Sequence, residues 1–504
     1  MFDIFDSFSA LKRLFNRWDV LIIGGILAVF FLGRLIRLDS LPIFSDEGIY
    51  IHWAKVAWHD AAWRFVSLTD GKQPLQTWGT IPFLKLFPNN ALLAGRMFSV
   101  ATGVAALAGF FSLSYYLFGK RTAFIASALY VTTPYFLFYD RMALVDSGVN
   151  AGFIWILFLS IVLAHQRRLD QAIVLGLVSG IALLAKSSVR LFVGLAALAP
   201  VLFFNRNYKK YLRETINYLS LFAVVIFLGL VIYNVQRLSP FFHFVAEKNK
   251  TFIMTFDEFI KTPFAVFPHN IQILPEYILN ELGWVVGLIG IFGAGSIFKK
   301  DRLLFTYLLL WFTVPFLIIA FVSKVVFPRY LIFFGTLLVL FSAVFISQLK
   351  NKVLLAVIVV VVALSFGYYD YGMLFRPEII PFPAIDKGQY VEGATVGLGA
   401  KEIIEYARQA AKIKPVIILA EGDFGMSGDV LDVFVRKDEK IFIKGYWPLG
   451  EKEIIENKKQ LPDSRVFVVF AQRETAPAVS GLTLIKEYVK PGGKSRLLFL
   501  ELHK

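Results

Sequence analysis

The chain has 504 residues, 57% of them hydrophobic and 18% charged, with no cysteine and a formal net charge of +15. Soluble chains run at roughly 45–50% apolar and about 25% charged, so these figures exclude a disordered chain, a collagen-like chain and a simple cytosolic enzyme. The absent cysteines exclude disulfide staples, thiolate zinc sites and cysteine nucleophiles, and a mean hydropathy of +0.64 marks a membrane protein.

In chain order, about eleven apolar runs approach or exceed the ~18–20 residues that cross a bilayer as a helix. They are 20–38, 91–118, 122–138, 147–164, 172–185, 189–204, 215–234, 279–298, 303–322, 326–349 and 353–369. Basic clusters fall at every second crossing: Lys12, Arg13 and Arg17; Lys120 and Arg121; Arg167 and Arg168; Arg206, Lys209, Lys210 and Arg213; Lys299, Lys300 and Arg302; Lys350 and Lys352. With these loops cytoplasmic, the positive-inside rule holds throughout. The expected topology is a multi-pass cell-membrane protein with a cytoplasmic N-terminus and everything after Tyr369 outside. Much of the net charge is therefore topology, and a nucleic-acid partner is not expected. The first run ends in Arg34 and Arg37 with no small-residue cleavage site, so it reads as an uncleaved anchor.

From about residue 375 the composition becomes mixed α/β. Helices are expected at 400–413, 429–437 and 451–460, and strands at 415–420, 440–444, 465–470, 482–489 and 496–502. Pro377, Pro381 and Pro383 mark a linker. The division is thus a membrane domain, 1–374, and an extracytoplasmic α/β domain, 375–504. Its glycines, Gly397, Gly399, Gly422, Gly425 and Gly428, match no phosphate-binding fingerprint, and the domain reads as a substrate-positioning or partner-binding module.

Informative charges concentrate in the outer loops. The first begins Leu41-Pro42-Ile43-Phe44-Ser45-Asp46-Glu47-Gly48-Ile49-Tyr50, with two adjacent carboxylates just past a span. Such a pair suits a general base with a hydrogen-bonding or metal-binding neighbour. It equally suits a helix start capped by Ser45 or Asp46, with Asp46 and Tyr50 on one face. The second outer turn carries Tyr139, Asp140, Arg141 and Asp146. An Asp140–Arg141 rim ion pair is the bland reading there, while Asp146, nearer the membrane, is a functional candidate.

Lys186 and Arg190 follow the short run at 172–185 at i, i+4, where an anion between them would relieve repulsion. Lys324, Arg329 and Tyr330 occupy the last outer turn. Ionisable groups at a membrane cost roughly 2.5–3.5 kcal/mol on insertion scales. Snorkelling to headgroups accounts for some of them, but outer-face cations suit phosphate, gripped bidentately by Arg and as a point charge by Lys. His52, His59, His243 and His269 show no metal-ligand spacing. The loop 241–275, rich in Phe, reads as an interfacial connector able to cover a groove.

Together these motifs resemble a family. Asp46-Glu47, then Lys72-Gln73-Pro74-Leu75, is similar to the first outer loop of membrane glycosyltransferases of the protein O-mannosyltransferase and aminoarabinose-transferase type (the GT-C superfold, glycosyltransferase family 39 relatives). Gly95-Arg96-Met97 through Gly103 resembles their second span, and Arg141 to Asp146 their second loop. Gly180 to Lys186 and Pro328-Arg329-Tyr330 are like their lysine-bearing and Arg-Tyr segments. The likeness covers about residues 20–345. Gln73-Pro74 stands where paired prolines are usual, and the tail differs from that of the protein mannosyltransferases.

The resemblance implies a polytopic α-helical membrane enzyme with an outer α/β domain. Its expected reaction is transfer of a sugar from a polyprenyl-phosphate-linked donor to a glycan, lipid or protein acceptor hydroxyl at the outer face. Asp46 would be the base of a single inverting displacement, with Glu47, Arg141 and Asp146 positioning sugar, acceptor or an ion, and Arg96 and Tyr50 in support. Lys186, Arg190, Lys324, Arg329 and Tyr330 would hold the departing lipid phosphate, and membrane lipids would surround the spans. A divalent Mg²⁺ or Mn²⁺ at Glu47 or Asp146 stays open at this point. The alternative is a transporter or flippase of a lipid-linked sugar, which calls for paired interrupted helices in symmetric halves.

Overall fold

The computed structural model describes residues 16–422 and 424–504; Lys12 and Arg13 of the first basic cluster lie outside the described residues. A polytopic helical body is followed by a small α/β domain. Among the described residues, seven helices are long and apolar enough to cross a membrane: Arg17–Leu35, Ala91–Phe118, Asp146–Gln166, Tyr208–Leu238, Arg302–Val322, Pro328–Gln348 and Lys352–Phe375. Two bent pairs raise the number to nine when each is one span, and two shorter apolar helices, Leu169–Leu183 and Val189–Phe203, complete the set.

The bends are where the apolar pattern misleads. The run at 122–138 divides into Lys120–Thr132 and Pro134–Arg141, turned by 59°. Pro134 has no N–H and forces Thr133 into an extended conformation (ψ 123°), which ends the first helix. The run at 279–298 straddles a 107° corner between Phe267–Leu282 and Trp284–Lys300. Gly283 makes that corner at φ +87°, open to a residue without a Cβ. Likewise 189–204 is helical only to Ala196 and continues as a 3₁₀ turn, Ala199–Phe203, holding Pro200.

Burial ranks the spans. Asp146–Gln166 is 83% buried and runs through the centre of the body, whereas Lys352–Phe375 is 11% buried and turns most of its apolar surface outward, where lipid covers it. On the central helix, Phe153 packs edge-on against Phe192 and Trp311 at 5.0 and 5.3 Å between ring centres.

The C-terminal sheet has strand order β2-β1-β3-β5-β4, with β1 Val416–Glu421, β2 Ile441–Tyr446, β3 Arg465–Phe470, β4 Leu482–Val489 and β5 Arg496–Leu502. β1 is parallel to β2 and β3, while β5 is antiparallel to β3 and β4. Every residue of β1 is buried, as suits a parallel strand covered on both faces. The helix expected at 429–437 spans only Gly428–Asp432. The Lys55 ammonium donates to the carbonyls of Asp432 (2.6 Å) and Val435 (3.1 Å), groups that a longer helix would use itself.

The two parts are joined closely. The Ser45 N–H donates to the Thr395 carbonyl (2.9 Å) and the Gly397 N–H to that of Ile43 (2.7 Å). Ile380, Phe382, Tyr390 and Val391 belong to the core of the helical body. A Cβ on Gly48 would meet the Val430 side chain at 2.8 Å and its backbone nitrogen at 3.1 Å, so glycine permits this approach. Helix Ser45–His59 therefore has the α/β domain on one side and a cavity on the other.

Candidate active site

A cavity of about 720 Å³ opens beside this helix. Its wall is mainly apolar, including Ile318, Ile319, Val322 and Phe333, with Asp46, Asp70, Lys72, Asp146, Lys186, Arg190, Lys248 and Arg329 converging within it.

Asp46 stands in the first turn of Ser45–His59. Neither Ser45 nor Asp46 caps that helix, contrary to expectation. Phe44 holds the N-cap position, and the Glu47 carboxylate reaches back to accept from its N–H at 3.0 Å. This leaves the Asp46 side chain free to face the cavity, with Tyr50 one turn on. Arg329 donates to Asp46 at 3.0 Å, and the Lys72 ammonium lies 3.5 Å away. Burial pushes the Asp46 carboxyl up, but Lys72 and Arg329 more than offset this and hold it below the usual carboxylate range. It is a carboxylate at neutral pH, flanked by two cations.

Across the cavity Lys186 pairs with Asp146 at 3.1 Å and lies 3.6 Å from the centre of the Tyr330 ring. It falls between helices Leu169–Leu183 and Val189–Ala196, so it shares no helix face with Arg190. Arg190 also lines the cavity and donates to the Tyr233 hydroxyl. Arg329, in the 3₁₀ turn Pro328–Leu331, contacts the Tyr390 hydroxyl at 3.4 Å.

Five other candidates lie elsewhere. Glu47 forms a two-point ion pair with Arg96, at 2.8 Å to each oxygen, with both side chains fully buried. Its oxygens also accept from the N–H groups of Phe44 and Ala143 (2.7 Å), and Arg96 further donates to the carbonyls of Leu38 and Leu41. Arg141 is spent on the carbonyls of Gly33, Arg34, Ile36 and Arg37, tying the end of the first span to the end of helix Pro134–Arg141. Lys324 turns away to Glu258 (2.8 Å) and the Lys250 carbonyl. Asp140 is paired with Arg34 at 3.0 Å inside the protein, not with Arg141 at a rim.

Three cavity charges fall outside the candidates read from sequence. Lys72 stands in the first-loop segment that carried the resemblance, which was the available signal. Asp70 pairs with Lys248 at 2.6 Å. The segment 241–275 is largely helical, and Lys248, Asn249 and Phe252 of helix Phe244–Phe252, with Ile253 after it, line the cavity, so the segment read as a connector forms part of its wall. An Ile253–Ser323 bridge holds that segment to the turn after helix Arg302–Val322.

Among the described residues no group of three or more His, Asp and Glu side chains is arranged to hold a metal. Both Glu47 oxygens are fully engaged, and the nearest charge to Asp146 is an ammonium, so the residues present do not fit the divalent cation considered from sequence. His52 is bound instead to Asp432, at 2.8 Å.

Residues 72–233 match the family described as Dolichyl-phosphate-mannose-protein mannosyltransferase. The structure of ArnT from Cupriavidus metallidurans in the apo state superposes with a TM-score of 0.60 at 16% identity, covering 96% of this chain and 97% of that one. The same protein bound to undecaprenyl phosphate gives 0.58 at 15%, covering 96% and 98%. The Archaeoglobus fulgidus oligosaccharyltransferase AglB, in complex with an inhibitory peptide and a dolichol-phosphate, gives 0.52 at 13%, covering 90% and 69%. Compared by sequence with curated proteins, the chain has no match. The chain has the GT-C fold of these membrane glycosyltransferases, as its outer-loop motifs implied.

Proposed function

We propose that this protein is a membrane glycosyltransferase that moves a sugar from a polyprenyl-phosphate carrier to an acceptor hydroxyl at the outer face of the membrane. The observation that carries the reading is Asp46, an ionised carboxylate held between Lys72 and Arg329 at the edge of an apolar-walled cavity. ArnT was solved with undecaprenyl phosphate and AglB with a dolichol-phosphate, which supports a lipid-phosphate donor here.

The residues suggest how the reaction proceeds. The polyprenyl chain lies along Ile318, Ile319, Val322 and Phe333, and the donor phosphate enters among Lys72, Lys186, Arg190, Lys248 and Arg329. Lys72 and Arg329 are then shared between phosphate and Asp46, which relieves the depression of the Asp46 pKa and makes it a stronger base. Asp46 takes the proton of the acceptor hydroxyl as its oxygen attacks the anomeric carbon, and the bond to the lipid phosphate breaks with inversion. The leaving group is already a stable anion, so fixed cations suffice and no strong acid is required. Asp146 orients Lys186. Residues 1–374 act as the transferase domain and 375–504 as an extracytoplasmic module, with the basic loops and N-terminus cytoplasmic by the charge asymmetry.

The transporter alternative draws on interrupted helices, but neither break, at Thr133 or at Gly283, lines the cavity. The test offers purified protein in detergent a panel of labelled polyprenyl-phosphate sugars and compares wild type with Asp46→Asn. Release of lipid phosphate by wild type with loss in the variant is expected; equal release by both removes Asp46 as the base, and carrier binding without release by either favours transport.

A further inference from the structure

The α/β domain reaches into the cavity with one side chain. Phe424, in the turn following β1, lines the same cavity as Asp46 and Lys72 and is 46% exposed. Its ring centre lies 5.9 Å from that of Trp53 and 5.9 Å from the Lys72 ammonium, which is also 5.2 Å from the Tyr50 ring. Trp53 and Tyr50 are buried, so Phe424 offers the one largely open aromatic face of this trio.

The turn is built to hold that ring in place. The Gly425 N–H donates to the Asp429 carboxylate at 2.8 Å, and the Ser427 N–H and hydroxyl both donate to the Glu421 carbonyl. Gly425 sits at φ +74° with the Ser45 hydroxyl 2.7 Å from where a Cβ would be, so the turn rests against the first residue of the helix that carries Asp46. His52, Lys55 and Asp432 clamp the next helix to the same surface. The open ring therefore faces the same space as the Asp46 carboxylate and the Lys72 ammonium. The axial C–H groups of a pyranose present an apolar, slightly positive face that stacks on the negative face of an aromatic ring, while its hydroxyls suit the charges beyond.

We infer that Phe424 is the stacking platform for a pyranose ring at the reaction centre, so that the α/β domain completes the substrate site of the membrane domain. This rests on the transferase reading and adds to it a specificity residue and a carbohydrate ligand. The ring stacked there belongs either to the donor sugar or to a saccharide acceptor, and the two are separable by experiment.

The test uses the full chain in detergent, with wild type, Phe424→Ala, Phe424→Leu, Phe424→Tyr and Asp46→Asn, each checked by melting temperature. Labelled polyprenyl-phosphate pyranoses are supplied with water alone, giving donor hydrolysis, and with oligosaccharide acceptors, giving transfer. Phe424→Ala is expected to lose about threefold to tenfold in kcat/KM, mainly through KM, as an aromatic stacking contact does; Tyr restores it and Leu does not. A loss confined to transfer assigns the ring to the acceptor, and a parallel loss in hydrolysis assigns it to the donor sugar. Wild-type values for Phe424→Ala in both arms, or equal performance by Leu and Tyr, overturn the proposal. Should wild type release no sugar, the transferase reading fails separately. Saturation-transfer NMR of the same saccharides then decides the platform: a saccharide signal that disappears in Phe424→Ala sustains it, and an unchanged signal refutes it.

Discussion

Asp46 and Glu47 are chemically alike and adjacent, yet the structure gives them opposite consequences on neutralisation. Glu47→Gln removes the counter-charge of Arg96, whose side chain is fully buried, and turns an acceptor of four donors into an amide. Breaking a buried ion pair by removing one partner costs about 3–5 kcal/mol, a large share of the about 5–15 kcal/mol that a folded domain commands. The expected result is a marked fall in melting temperature and in folded yield. Asp46→Asn leaves Lys72 and Arg329 without this carboxylate, but both cations line the water-accessible cavity and Lys72 keeps Asp70 3.6 Å away, so its cost should be smaller, about 1.5–3 kcal/mol. It should instead lower turnover by about 10²–10⁴, the usual worth of a general base. Fluorescence-detected size-exclusion melts, run beside the lipid-phosphate release assay, separate the two. A Glu47→Gln protein as stable as wild type but inactive would refute the structural assignment of Glu47.

Lys186→Ala should raise the KM for a polyprenyl-phosphate donor by about tenfold or more, as expected for a lost charge-assisted hydrogen bond of about 1.5–3 kcal/mol, whereas Lys324→Ala, at a cation turned away from the cavity, should leave kcat/KM unchanged; donor titrations of both variants check this. Burial opposes protonation of His52, but Asp432 more than offsets it and raises its pKa, while the same group with Lys55 holds Asp432 down at about 2. With a raised folded-state pKa, the His52 contribution to docking the α/β domain is fully present below its ordinary value and lost as pH rises through the raised one. Asp429 and Lys55 also face His52, and Lys55 keeps its hold on Asp432, so the exchange protection of 428–432, taken relative to the intrinsic rate at each pH, should fall only modestly as pH rises, and His52→Gln should abolish that fall. Gly48→Ala should cost about 1–3 kcal/mol by forcing Val430 away, read as a lower melting temperature.

Much of this molecule is legible along the chain because lipid imposes a one-dimensional requirement. A span must be apolar for its whole length and must satisfy its own backbone, and runs such as 91–118 and 303–322 state this plainly. The strands at 465–470, 482–489 and 496–502 are equally readable from their apolar and β-branched content. Apolar content does not, however, say where a helix turns. Pro134 and Gly283 each sit inside an unbroken hydrophobic run, and only backbone geometry at those residues divides it.

The candidate site shows the same division. Asp46, Asp146, Lys186, Arg190 and Arg329 stand out because charge at the edge of a span is expensive and therefore informative. The same rule also draws in Glu47, Arg141 and Lys324, since a lone sequence does not distinguish a charge satisfied by a distant partner from one held open for a ligand. Glu47 meets Arg96 across 49 residues, and Arg141 meets carbonyls more than a hundred residues before it. Lys248 and Phe424, which carry no local signal, reach the cavity from the short helix Phe244–Phe252 and from the α/β domain. The membrane body, the alternation of its basic clusters and the strands of the α/β domain are legible along the chain, because each depends on local composition. Which charges face the cavity was decided by tertiary structure alone, because that depends on which groups the fold leaves unpaired.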